Sequence, residues 1–174
     1  MKAAIISVGD ELLIGQVINT NAAFLCERLN AAGIEVDRIV TVADKRGEIL
    51  AALGEEYARH DILLVTGGLG PTHDDVTRGA ICTFFRTELA PNAEARAAIE
   101  EYLRSRHAPW TEAAEDQTMF PLGASVIPNR QGTAPGELFV REGRHVIVMP
   151  GVPSEMEAMV NDFVLPHFHA LDTG

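Results

Sequence analysis

A chain of 174 residues that is 47% hydrophobic and 22% charged has the size and composition of one soluble domain able to bury a full core. A net charge of −11 and an aromatic content of 6% argue against nucleic acid as a partner, because backbone phosphates need a basic face and single strands need stacking platforms. No apolar run reaches the roughly 18 residues of a membrane span, and the two cysteines, Cys26 and Cys82, belong to no CxxC or His-rich cluster. The cytoplasm is the expected compartment.

The amino-terminal half alternates strand and helix patterns. Ala3 to Val8 reads as a buried strand, followed by the loop Gly9 to Asn21. From Ala22 to Ala32, Phe24, Leu25, Leu29 and Ala32 share a helical face, and Gly33 is the expected C-cap. Glu35 to Val42 alternates as a strand. Asp44 then precedes a helix carrying Ile49, Leu50, Leu53 and Tyr57. Asp61 to Val65 is a third, continuously apolar strand, and a helix with Val76, Ala80, Ile81, Phe84 and Phe85 follows it. Near-continuous apolar strands alternating with helices predict a parallel sheet covered on both faces. Right-handed crossovers then bring the loops after strands one and three to the same edge.

The second half is less regular. Asn92 to Arg106 reads as a helix, Pro109-Trp110 as a break, and Thr111 to Met119 as a short helix capped by Thr111. Glu137–Val140 and His145–Met149 read as a hairpin through Arg141–Arg144, expected to add antiparallel strands. Pro150–Pro153 is a turn, and Ser154 is placed to cap a last helix running to about Val164, after which Pro166 and the polar tail close the domain. A single domain over residues 1–170 is expected, with no linker, repeat or low-complexity segment.

The densest stretch is Thr66-Gly67-Gly68-Leu69-Gly70-Pro71-Thr72-His73-Asp74-Asp75, between a strand and a helix. Glycines there let the backbone approach a ligand, and a strand-to-helix loop is a natural phosphate cradle, with Thr72 adding a hydroxyl. Asp74 and Asp75 next to a phosphate call for a divalent cation, which they could hold, or for work on water. The alternative is a tight turn with an acidic helix start. His73 reads as an exposed loop residue or a proton shuttle. Asp10 and Glu11 could bind a cation or accept hydrogen bonds from ribose or pterin-like amino groups. Asn21 could reach a ligand or cap the helix at Ala22, and Asp44 could be functional or an N-cap. Two further small-residue turns, Gly132-Thr133-Ala134-Pro135-Gly136 and Pro150-Gly151-Val152-Pro153-Ser154, also allow close backbone approach. No GxSxG elbow, Walker A loop or HExxH helix occurs.

Together these motifs resemble the molybdopterin-binding domain shared by the MogA/MoaB and MoeA families, most closely its CinA-like (competence/damage-inducible) branch. The resemblance rests on Gly9-Asp10-Glu11-Leu12-Leu13-x-Gly15 with Asn21, on Thr66 to Thr77, on Asn129 to Gly136 and on Pro150 to Met156. It implies a three-layer α/β/α sandwich around a mostly parallel sheet with an antiparallel hairpin, in a homo-oligomer such as a dimer or trimer. In MogA-type relatives the acids matching Asp44 and Asp75 serve adenylylation of molybdopterin in molybdenum cofactor biosynthesis, and the glycine loop holds phosphate. CinA-like domains are associated with metal-dependent cleavage of ADP-ribose. The resemblance thus implies a small-molecule nucleotide or pterin ligand, Mg²⁺ or another divalent cation, and molybdopterin as the alternative ligand. Asn19 stands where such proteins often have an acid, and a carboxy-terminal deamidase domain is not expected in this chain.

Overall fold

The structure, a computed structural model, describes residues 1–70 and 76–172. Four strands run parallel in its main sheet: β1 (Lys2–Val8), β2 (Glu35–Val42), β3 (Ile62–Thr66) and β8 (Arg144–Met149). Two more, β7 (Gly136–Arg141) and β6 (Ser125–Ile127), extend it antiparallel, giving the order β2-β1-β3-β8-β7-β6. The hairpin is therefore split in character. Its second strand joins the parallel set, with Thr66 opposite Met149, and only its first strand runs against it.

Alternate strand residues feed two cores. Ala3, Ile5, Ile62, Leu64, Ile147 and Met149 pack on one face against α2 (Thr20–Ala31), which follows the one-turn α1 (Asp10–Leu13), and against the carboxy-terminal helix. Ala4, Ile6, Leu63, Val65, Val146 and Val148 pack on the other against α3 (Arg46–Tyr57) and α4 (Val76–Phe85). This is the expected α/β/α sandwich. α2 carries the chain from β1 to β2 over one face and α3 carries it back to β3 over the other, so the order in which strands are added across the sheet reverses between β1 and β3. In open α/β sheets that reversal opens a crevice at the carboxyl ends of the strands.

A smaller lobe carries α5 (Ala93–Ser105), α6 (Glu112–Gln117) and a two-stranded sheet of β4 (Leu89–Pro91) and β5 (Met119–Pro121). Asn92 and Thr111 cap the two helices by accepting from the backbone N–H of Ala95 and Ala114. The short helix expected to reach Met119 stops at Gln117, because Met119 pairs in the small sheet.

Helix ends show where local signals competed. Gly33, at φ +78°, lies just past α2 as expected; its N–H reaches Asn30 O and that of Ile34 reaches Leu29 O, a Schellman pair. At the other end, Asn19 rather than Asn21 is the cap: its side chain accepts from Ala22 N and donates to Ser7 Oγ. Asp44 is not a cap either, since α3 begins after Lys45 without a side-chain bond. The last helix starts with Pro153 at its first position, after Val152, so Ser154 caps nothing. It runs as α7 (Pro153–Met159), a π-turn (Val160–Val164) and the remainder, α8 (Leu165–Asp172), passing through Pro166 instead of ending there.

Candidate active site

Gly67, Gly68 and Gly151 weld the carboxyl ends of three parallel strands. Gly67 N donates to Met149 O, joining β3 to β8. At φ +95° a side chain on Gly67 would be driven into the carbonyl oxygen of Val8, the last residue of β1. Gly151 comes within 3.1 Å of the Gly67 Cα at the position of its missing Cβ. Gly68, at φ +69°, leaves room for the buried Thr77 hydroxyl, which has no hydrogen-bond partner among the described residues. Backbone packing requires Gly67 and Gly151, and the Thr77 side chain requires Gly68, before any ligand is considered. Gly70 differs: among the described residues, a Cβ there would meet nothing within 4 Å.

The weld leaves a cavity of about 450 Å³ at the crevice between β1 and β3. The loop after β1 contributes Glu11, Leu12, Val17, Ile18, Asn19, Thr20 and Asn21 to its lining; the segment after β2 gives Asp44, and that after β3 gives Gly67, Gly68, Leu69 and Gly70. Gly151, Val152 and Pro153 complete the wall after β8. The loops after strands one and three thus meet at one edge of the sheet, as right-handed crossovers require.

Two carboxylates, Glu11 and Asp44, share this space. Asp44 is positioned by its neighbour in the motif, Asp10, whose Oδ1 accepts the Asp44 backbone N–H at 3.1 Å. A Cβ on Gly68 would lie 3.6 Å from Asp44 Oδ1, so the carboxylate stands close to the glycine backbone. Asp10 does not itself line the cavity. Asn21 bridges two walls by donating from Nδ2 to Gly151 O at 2.9 Å.

Other residues expected in the site lie elsewhere. Gly132 gives room to the Glu155 carboxylate, which also accepts from Asn129 Nδ2 at 2.8 Å, so that loop's smallness serves an internal contact. Gly136 opens β7 against Val148 O, and Thr133, Pro150 and Ser154 do not line the cavity. Thr72, His73, Asp74 and Asp75 lie outside the described residues. Sequence reasoning missed the apolar rim, Val17, Ile18 and Val152; the only signal was hydrophobic residues in loops that no periodicity explains. Among the described residues, no group of three or more His, Cys, Asp and Glu is assembled to hold a metal ion, and no helix is long and apolar enough to cross a membrane.

Comparison with known proteins agrees with this architecture. Residues 4–170 match the family model described as "Probable molybdopterin binding domain". A CinA-like protein of Chlorobaculum tepidum is 44% identical over 175 residues, which cover 98% of this chain and 41% of that protein. The crystal structure of the protein CinA from Thermoplasma acidophilum superposes with a TM-score of 0.82 at 35% identity, over 92% of this chain and 94% of that one. MoaB from Pyrococcus furiosus, a tungsten cofactor synthesizing protein, shares the fold at a TM-score of 0.64 and 19% identity, over 99% and 95% of the two chains. The chain spans between 41% and 63% of the length of several curated relatives. With the glycine weld, the crevice and these matches in agreement, the chain belongs to the molybdopterin-binding-domain family, in its CinA-like branch.

Proposed function

We propose that the cavity binds the pyrophosphate of a nucleotide, and that the chain is a metal-dependent nucleotide pyrophosphatase acting on ADP-ribose-type substrates. The observation that carries the reading is the pairing of Asp44 and Glu11 with the Gly67–Gly70 backbone in one cavity at the strand reversal. Glycine backbone accommodates phosphate oxygens closely, while carboxylates near a phosphate are tolerated only with a cation between them.

The donor set fits such a cation. Mg²⁺ typically takes one or two carboxylates, with substrate phosphate oxygens and water filling the remaining positions. Asp44 and Glu11 supply the carboxylates; Asp74 and Asp75, which follow Gly70 closely in sequence, belong to the same proposal on sequence grounds. Bound there, a divalent ion supplies charge neutralisation for the phosphates and a lowered pKa for water. The chain's own part is positional. Asp10 fixes the Asp44 backbone, Gly70 admits the phosphate, and the Asp44 carboxylate accepts a proton from the attacking water. Hydrolysis of the anhydride then yields AMP and ribose 5-phosphate.

The test is AMP release from ADP-ribose with Mg²⁺ and Mn²⁺. Wild-type protein is expected to turn over, and Asp44→Asn to lose turnover by 10²-fold or more, the order expected of general-base loss, with an unchanged melting temperature. No AMP with any divalent ion would refute the proposal. A second reading, binding or adenylylation of molybdopterin in the same cavity, is favoured by the family-model match. Transfer of AMP from ATP to molybdopterin, without cleavage of ADP-ribose, would establish it instead.

A further inference from the structure

Among the hydrogen-bonding side chains that line the cavity and that the phosphate chemistry does not use, Asn21 stands apart. The Asn21 amide is tethered through Nδ2 to Gly151 O, and its Oδ1 is buried with no hydrogen-bond partner among the described residues. Its orientation is not arbitrary. Gly151 O can only accept, so the amide must turn its NH₂ to that carbonyl and present Oδ1 on the other side. A buried acceptor left unmatched is costly, and a ligand that brings a donor recovers that cost.

The surroundings restrict which donor. The Asn21–Gly151 bond draws the loop bearing Val17 and Ile18 against the turn bearing Val152. All three line the cavity, yet they remain 52%, 82% and 51% exposed. Apolar side chains lining a ligand cavity while still in water favour contact with an apolar surface, such as the face of a planar ring. A sugar, with hydroxyls on every side, would find few partners against Val17, Ile18 and Val152. A heterocycle with an amino group on its edge satisfies both demands.

We propose that Asn21 selects the base at this site: its Oδ1 accepts an N–H of an amino-bearing purine whose ring rests against Val17, Ile18 and Val152. The inference deepens the nucleotide reading above and rests on it. Asn21 acts by recognition and takes no part in bond cleavage.

The probe is the uncleavable methylene-bridged analogue of ADP-ribose, compared with its counterpart in which the 6-amino group is replaced by hydrogen. Dissociation constants are measured calorimetrically with Mg²⁺ present. In wild-type protein, loss of the amino group is expected to weaken binding about tenfold, equivalent to about 1.4 kcal/mol. In Asn21→Leu the two ligands should bind within about twofold of each other. The readout is a ratio, so a general loosening of the turn at Gly151 does not imitate it; Asn21→Ala serves if the leucine variant does not melt cooperatively. Equal binding of the two ligands by wild type, or an undiminished tenfold ratio in the variant, overturns the inference and leaves the nucleotide site standing. Failure of wild type to bind either ligand overturns both.

Discussion

Replacing Gly67 by alanine separates a glycine needed by the fold from one kept for a ligand. At φ +95°, an L-residue at position 67 bears a left-handed penalty of about 1–2 kcal/mol. Its Cβ would also overlap the Val8 carbonyl oxygen, which belongs to a central strand paired on both sides. A side chain could rotate away, but this backbone cannot, and forced overpacking costs roughly 1–3 kcal/mol. Together they predict a loss of about 2–5 kcal/mol, a large share of the ~5–15 kcal/mol by which domains are stable. With a urea m-value of about 2–3 kcal/mol per molar, the midpoint should fall by about 0.7–2.5 M.

Gly70→Ala is the internal control. Among the described residues nothing stands where its Cβ would go, and its φ is not in the positive region, so its stability should stay within about 0.5 kcal/mol of wild type. Any effect of Gly70→Ala then falls on ligand binding. The assay is urea unfolding followed by far-ultraviolet circular dichroism, with affinity for ADP-ribose measured on the same preparations. A Gly67→Ala protein within 0.5 kcal/mol of wild type would refute the weld.

Three further outcomes are expected. Arg78, 6% exposed, pairs through Nε with Oε1 of the fully buried Glu137 at 2.9 Å; Arg78→Met should cost about 3–5 kcal/mol in urea unfolding, and the double variant Arg78→Met/Glu137→Leu should recover most of it. Burial first, and then His167, lowers the pKa of His145 against an opposing pull from Asp61, and burial lowers that of His167. Their folded values therefore lie below the unfolded value of about 6.5, so this stabilisation is complete above pH 6.5 and is lost as pH falls below it, because the unfolded chain takes up protons first. His167→Phe should then narrow the gap between urea midpoints at pH 7.5 and 5.5, and an unchanged gap would refute the assignment. The Cys82 thiol is pushed up to about 11, chiefly by burial and then by Glu137; alkylation by iodoacetamide should be slow at pH 8, where only about one thiol in a thousand is ionised, and should accelerate up to about pH 11.

The sandwich was legible because its strands and helices carry clean periods. Ile62 to Thr66 is buried throughout, and α5 and α6 announce themselves through Asn92 and Thr111. What escaped were choices made by long-range packing. A hairpin pattern tells that β7 and β8 pair but not that β8 docks beside β3, although the unbroken burial of His145 to Met149 is the mark of an interior strand. Pro166 is a sound stop signal, yet the helix continues through it. Val160, Val164 and Phe168 all pack in one core at four-residue spacing, which overshoots the helical repeat by about 40° at each step. The wider π-turn, where Leu165 N donates to Val160 O, takes back part of that rotation immediately before the residue that lacks a donor. Asn21 reads as a cap for a helix at Ala22, but the helix starts at Thr20, and Asn19, held by the Ser7 hydroxyl near the end of β1, takes the cap instead.

That exchange bears on the site itself. By taking both the cap and the Ser7 contact, Asn19 leaves Asn21 free to bind Gly151 O and point its carbonyl oxygen away from that carbonyl. The glycines follow the same division of labour. Gly67 and Gly151 are consumed in bringing β1, β3 and β8 together and Gly68 in admitting Thr77, whereas a Cβ on Gly70 would meet none of the described residues. A glycine-rich loop between strand and helix therefore overstates how much of its backbone is reserved for phosphate. Most of the motif builds the crevice, and the chemistry proposed for it falls to a few groups along the walls: Gly70, Glu11, Asn21, and Asp44 as placed by Asp10.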